Sequence, residues 1–225
     1  VMDLATLYGL IFQKVPLVEL EEVWFLENIT RKNKIYESIK RPLEIALALI
    51  LFFIFITPAL IIALLIKLTS KGPLLFRQKR IGANEKEFIL YKFRSMRADA
   101  EKSGPQWAKE DDPRVTAFGQ FLRFTHLDEL PQLINIITGD LSFVGPRPER
   151  PEFVQQLKKE IPYYDLRHLV RPGLTGWAQI SYRYGSSIAD AYQKLQYDIY
   201  YLKNYSFWLD LSILIKTIRL FFTRI

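Results

Sequence analysis

Asp128 and Glu129 are adjacent carboxylates inside the stretch RFTHLDELPQLINIITGDLSFVGPRPE, residues 123–149. Leu130, Leu133, Ile134 and Ile137 follow the i, i+3, i+4, i+7 rule, so the spacing predicts a helix over Glu129–Thr138 with one buried face. Gly139 is a suitable terminator, and Pro131 is tolerated only if the helix starts just before it. Asp128 then falls at or beside the N-cap and Glu129 in the first turn. A helix N-terminus favours negative charge, so Asp128 is expected to stay anionic, and phosphate oxygens are welcome at the same place. Adjacent side chains near a helix start point in different directions. One carboxylate could act on phosphorus while the other holds a divalent metal. An Asp cap beside a dipole-stabilising Glu is the ordinary alternative, and these residues alone leave it open.

Arginines in stiff settings surround this pair. Arg147 lies between Pro146 and Pro148, which fixes the backbone on both sides and lowers the entropy cost of presenting the guanidinium. Arg171 precedes Pro172-Gly173, Arg183 follows the short apolar run Gly176–Ile180, and Arg94 and Arg97 flank Ser95-Met96. Such arginines suit bidentate phosphate recognition, although any one of them taken singly reads as a surface ion pair. The balance of 31 Lys+Arg against 24 Asp+Glu gives a net charge of +7, which calls for an anionic partner. Nucleic acid is disfavoured, because the basic residues are dispersed among loops and no binding module occurs. With no Cys there is no thiolate metal site, disulfide framework or Cys nucleophile, and His126 and His168 are too far apart to suggest zinc. No P-loop or dinucleotide fingerprint is present.

The elements that must position these groups are unevenly greasy. Mean hydropathy is only +0.02, yet Ile45–Ile66 reads IALALILFFIFITPALIIALLI, 22 residues without a charge. A straight helix of that length reaches about 33 Å, enough for a hydrocarbon core of about 30 Å. Thr57-Pro58 sits near its middle, where proline removes a backbone bond and kinks the helix, and the Thr57 hydroxyl is expected to bond one turn back. Both flanks are basic, with Lys40 and Arg41 before it and Lys67 and Lys71 after it. A spanning helix should show a bias in positive charge, whereas a helix that enters and returns would be basic at both ends. The physics leaves these two equal. Residues 1–40 read as a linker or the remnant of an upstream domain, with a strand and turn over Pro16–Leu26. Phe88–Phe93 alternates as a short strand. Thr116–Phe124 and Pro151–Lys159 are helix candidates, and Ser187–Ile225 is helical. Its last stretch, YSFWLDLSILIKTIRLFFTRI, has the composition of a helix lying in a membrane interface, with packing onto the core as the alternative.

From about Lys40 to the C-terminus the sequence resembles the bacterial sugar transferases, the monotopic polyprenyl-phosphate phosphoglycosyl transferases. The resemblance rests on the apolar segment with its proline, GPLLFRQKRIG, YKFRSMR, DPRVT, LDELPQLINIITGDLSFVGPRPE, VRPGLTGWAQI and the aromatic tail. It implies a mostly helical α+β fold: a re-entrant membrane helix, residues 41–70, and a small catalytic domain, residues 71–225, with interfacial amphipathic helices. It implies transfer of a sugar-1-phosphate from a UDP-sugar to undecaprenyl phosphate with release of UMP, at the cytoplasmic face of the bacterial inner membrane, early in exopolysaccharide, capsule or O-antigen synthesis. By the same resemblance Asp128 is the nucleophile that forms a phosphosugar-aspartyl intermediate, and Glu129 helps bind magnesium (Mg2+). Arg123 and Arg183 match phosphate-binding arginines, Pro146-Arg147-Pro148 lies near the nucleotide, and Thr57-Pro58 stands where the family has Ser-Pro at the helix break. Position 126 is His where many relatives have Ser, and no catalytic role follows for it. Membrane lipids are implied partners, and a homodimer is left open. The donor sugar is expected to depend on loops at Ser103–Asp112 and Ser181–Ser187, with a weak lean to a hexose such as glucose or galactose. A UDP-releasing glycosyltransferase and a non-catalytic membrane-docking module are the competing readings.

Overall fold

The computed structural model describes residues 4–17, 22–29, 34–97, 99–100, 104, 112–182, 185 and 187–223. Helices α1 (Leu4–Phe12) and α2 (Glu22–Ile29) precede a long helix, α3 (Lys34–Thr69). Strands β1 (Leu75–Ile81) and β2 (Glu87–Phe93) form an antiparallel hairpin. Helices α4 (Ala117–Phe124) and α5 (Gln132–Thr138) follow, then β3 (Ser142–Val144), α6 (Pro151–Glu160) and β4 (Gly173–Thr175). Helices α7 (Trp177–Ser181), α8 (Ile188–Lys203) and α9 (Phe207–Thr223) complete a mostly helical α+β fold, in which β3 and β4 form a second, parallel pair.

α3 is 36 residues long, or about 54 Å at 1.5 Å per residue. Among the described residues it is the one helix long and apolar enough to cross a membrane. Ile50, Phe53, Ile54, Leu60 and Leu64 are each more than half exposed, an apolar surface too large to leave bare in water. The helix runs unbroken through both Pro42 and Pro58, and the Thr57 hydroxyl makes no hydrogen bond among the described residues. That expectation is corrected: the backbone stays helical at Pro58 without the side chain's help. At the other end Thr69 and Ser70 do bond back, to the carbonyls of Leu65 and Ile66.

α3 is rooted in the domain by polar groups. Lys40 pairs with Asp210 of α9 at 2.7 Å and donates to the Val144 carbonyl, while Glu44 accepts from the Phe143 amide. Tyr36 and Tyr201 both donate to Asp210. Arg171 is held by Glu37, which also accepts from Tyr205. Buried charges are tolerable only when paired and hydrogen-bonded like this, and removing one partner is costly. Further along, Ala48, Leu51 and Phe52 pack into the main core, and Ala59, Ile62, Ala63 and Ile66 pack with Phe93, Leu122 and Leu130.

The predicted strand at Phe88–Phe93 and the predicted helices at Thr116–Phe124 and Pro151–Lys159 correspond to β2, α4 and α6. Thr116 is the N-cap of α4, accepting from the Gly119 amide at 3.0 Å. A Cβ at Gly119 would lie 1.9 Å from the Ser95 carbonyl, so only glycine lets α4 close on the chain leaving β2. In α9 Asp210 and Ile213 are buried while Trp208, Ile215 and Ile218 are exposed, so the helix packs one flank onto the core and leaves an apolar flank outside.

Of the strand and turn expected over Pro16–Leu26, residues 18–21 lie outside the described residues, and Glu22–Leu26 is helical instead. α2 begins at Glu22, because this segment gains its stability by docking a helix rather than by pairing with a strand. Val15, Leu17, Phe25 and Ile29 are buried in the main core. The Val15 amide donates to the Gln196 carbonyl at 3.1 Å, and Trp177 Nε1 donates to the Gln13 carbonyl at 2.8 Å. Burying four such side chains contributes several kcal/mol, at about 1.5–3 kcal/mol each as an upper bound. Deleting residues 1–29 should therefore lower the melting temperature in detergent by roughly 10 °C. An unchanged melting curve would make the segment a passive tether.

Candidate active site

Asp128 lies in a single 3-10 turn, Leu127–Glu129, reached through His126 in the left-handed region at φ 54°. α5 starts later than its apolar spacing predicts, at Gln132 with Pro131 as N-cap, so Asp128 is not a helix cap. Pro131 has no N–H to continue the helix, and the chain before it tightens into a separate turn. Gly139 ends α5 at φ 103°, as expected of a left-handed terminator.

The turn opens on a cavity of about 1100 Å3, ample for a small-molecule ligand. Asp128, Glu129, Arg123 and Arg147 all line it, together with Lys92, Arg94, Arg97, Arg150, Arg167 and Lys194. The carboxylate pair thus sits in a strongly basic chamber. Glu129 Oε1 is 2.5 Å from Lys92 Nζ and 3.6 Å from Arg147 Nη2. Burial pushes the Glu129 carboxyl up, but the two cations outweigh it and hold the group down at about 2. Asp128 has the opposite fate. Burial raises its carboxyl above the ordinary range, Lys92 and Arg123 oppose this only in part, and the charge on Glu129 adds to the rise. The lowering expected from a helix N-terminus is absent because no α-helix starts there. Two neighbouring carboxyls pushed in opposite directions are suited to different tasks. The more basic, Asp128, is the better nucleophile, and the permanently ionised Glu129 suits a cation.

The arginines are aimed by specific contacts. Arg123, in the last turn of α4, donates from Nε to Ser95 Oγ at 2.9 Å. Pro146 and Pro148 are buried while the Arg147 side chain is 48% exposed. All three carbonyls of Pro146-Arg147-Pro148 are occupied, by the Gly173 amide, Arg167 Nη2 and Arg80 Nη1, each at 2.9 Å. Arg167 is itself fixed by Asp198 at 2.9 Å. Prolines and hydrogen bonds together hold this backbone so that only the guanidinium is presented. Arg94 donates to Ser70 at the end of α3 and lines the cavity. Arg171 belongs to the root of α3 instead, taken by Glu37.

Arg183 lies outside the described residues, as does most of Ser103–Asp112; Tyr182 and Gly185 line the cavity. Thr57 and Pro58 are in α3, away from the cavity wall. Lys92, absent from the sequence-based candidates, had a readable signal. Phe88 and Leu90 are buried on one face of β2, and Lys92 is the next residue on that face.

Among the described residues no group of three or more His, Asp or Glu could cage a metal ion. The donor set fits Mg2+ nonetheless, since this ion is commonly held by one or two carboxylates and completes its shell with substrate phosphates and water. Both cations fall on Oε1 of Glu129, which keeps the carboxylate ionised as a metal ligand must be.

Residues 35–224 match the family described as bacterial sugar transferase. A UDP-N-acetylgalactosamine-undecaprenyl-phosphate N-acetylgalactosaminephosphotransferase of Aeromonas hydrophila is 47% identical over 191 residues, 85% of this chain and 45% of the relative. A UDP-glucose:undecaprenyl-phosphate glucose-1-phosphate transferase of Escherichia coli K12 is 41% identical over 207 residues, 91% of this chain and 43% of the relative. An exopolysaccharide production protein, PSS, of Rhizobium leguminosarum is 41% identical over 186 residues, covering 80% of this chain and 93% of the relative. The chain spans less than half the length of the first two relatives. With Asp128, Glu129, Arg123 and Arg147 gathered in one basic cavity and the match running from the root of α3 to the end of α9, the chain belongs to the bacterial sugar transferase family.

Proposed function

We propose that this chain transfers a sugar-1-phosphate from a UDP-sugar to undecaprenyl phosphate, releasing UMP. The observation that carries this is a buried carboxyl of raised basicity, Asp128, beside an ionised one, Glu129, in a cation-lined cavity next to an exposed apolar helix. An Asp128 oxygen attacks the β-phosphorus of the donor, and the phosphoanhydride bond breaks with its electron pair leaving on UMP. The phosphate of the lipid then attacks the same phosphorus, and the acyl-phosphate bond breaks to regenerate the carboxylate. Arg123 and Arg147 bind and orient the charged oxygens, a role extended to Arg183 by the family resemblance. Glu129 would hold Mg2+, which supplies charge neutralisation on the diphosphate.

The way α3 packs supports a one-leaflet placement. Its first turns, its middle and its last turns all contact the same small domain. A perpendicular span would carry one end some 30 Å from that domain. A helix that enters and returns, with both ends on the cytoplasmic face of the inner membrane, accommodates these contacts together with the basic residues at both ends. The donor named for the relatives is UDP-N-acetylgalactosamine in one and UDP-glucose in another, so the sugar is a matter for the same assay. Protein in nanodiscs is incubated with a panel of UDP-sugars, undecaprenyl phosphate and Mg2+, and the nucleotide product is identified. UMP with one donor is the expected result. UDP would make the chain a conventional glycosyltransferase, and no nucleotide product with any donor would leave a docking module.

A further inference from the structure

The catalytic turn is tied to the membrane helix through a continuous set of hydrogen bonds. α5 follows the Asp128–Glu129 turn directly, and its last carbonyls have no partners within the helix. Arg41 of α3 supplies them. Its Nη1 donates to the Ile136 carbonyl at 2.6 Å and its Nη2 to the Ile137 carbonyl at 3.1 Å. The fork of a guanidinium can cap two successive carbonyls at once, which a lysine cannot do. The same helix is fastened to β2 by Asn135, which is fully buried. Its Oδ1 accepts from the Tyr91 amide at 3.1 Å and its Nδ2 donates to the Ile89 carbonyl at 2.7 Å. The next residue of that strand is Lys92, which grips Glu129 at 2.5 Å. The route from the root of α3 therefore runs through Arg41 to α5, through Asn135 to β2, and through Lys92 back to the dyad.

We propose that Arg41 is a positioning residue for Asp128 and Glu129: it fixes α5 from the membrane helix and so sets the attack geometry of the turn preceding that helix. The proposal rests on the reaction given above for its kinetic consequence, and on hydrogen bonds alone for its structural one. Arg41 does not line the cavity, so it acts through α5 and not on substrate. A displacement of the dyad by a fraction of an ångström would lower turnover without removing any group that binds the donor, and misplacement by 1 Å costs on the order of 10²-fold.

The test compares wild type, Arg41→Gln and Arg41→Lys in nanodiscs by UMP release and by amide hydrogen exchange. For Arg41→Gln, kcat should fall roughly 30- to 100-fold with KM for the UDP-sugar changed less than about twofold, as for loss of an interaction that does not contribute to ground-state binding. Arg41→Lys, able to satisfy one carbonyl at a time, should recover part of kcat. Exchange should quicken across residues 127–138 while α8 keeps its protection. The proposal is overturned if kcat is unchanged, if KM rises in step with the loss, or if exchange quickens evenly over the whole domain. Should wild type release no UMP with any donor, the reaction assigned above fails, and local exchange at residues 127–138 alone decides whether Arg41 braces the turn.

Discussion

Replacing Asp128 with Asn should abolish UMP release, lowering it by about 10³-fold or more, while leaving the fold intact. Asn is nearly isosteric with Asp and removes a buried carboxylate whose ionisation burial already disfavours, so the melting temperature should hold or rise slightly. The decisive measurement omits the acceptor. Wild-type protein mixed with its UDP-sugar should release about one equivalent of UMP and carry a sugar-phosphate mass on the peptide containing Asp128, as a two-step displacement requires. Asp128→Asn should do neither. Glu129→Gln should slow both steps but leave any adduct on Asp128. An adduct elsewhere, or turnover in Asp128→Asn within tenfold of wild type, would remove Asp128 from the reaction. The acid side adds a sign: protonation silences a carboxylate nucleophile, and burial raises this carboxyl, so activity should fade on acidification at a pH above the ordinary Asp value of 3.8.

The parts of the site that could be read from sequence were those set by local backbone chemistry. Pro146-Arg147-Pro148 is stiff by composition, Gly139 terminates a helix by its left-handed φ, and Thr116 caps α4 with its own side chain. The apolar run of α3 is equally local. What was not legible depends on groups far apart in the chain. Nothing in the sequence around Arg171 distinguishes a phosphate ligand from the partner of Glu37, 134 residues away. The docking of Val15, Leu17, Phe25 and Ile29 depends on the surface of α8, so the upstream segment looked like a linker without a partner. Asp128 illustrates both sides. The apolar spacing after it located the helix, yet Pro131 moved the helix start beyond the dyad, and the carboxyl's environment is set by burial and by Lys92 and Arg123.

Lys92→Met should cost stability and activity together, with a pH dependence that identifies the cause. Glu129 titrates at about 2 in the folded chain against 4.5 for an ordinary Glu, and Lys92 is the largest of the groups that lower it. A folded-state value below the unfolded one stabilises the fold fully above pH 4.5, and that contribution is lost as the pH falls toward 2. The full shift corresponds to about 3 kcal/mol as an upper bound, at 1.36 kcal/mol per unit. Met fills much of the same space without the charge, leaving Glu129 largely buried, with Arg147 at 3.6 Å and the weaker influence of His126 to hold it. The carboxyl should then rise toward or above its ordinary value, and the melting temperature at pH 7 should drop by roughly 5–10 °C. The gap to wild type should narrow between pH 5 and pH 3.5, because the wild-type advantage is itself disappearing there. UMP release should fall on the order of 10²-fold, since Glu129 loses the contact that fixes its carboxylate in the cavity. Lys92→Arg, which keeps the charge, should restore most of the stability. A melting difference that is the same at pH 7 and pH 3.5 would mean that Lys92 matters for its packing and not for its charge, and that Glu129 owes its ionisation to Arg147.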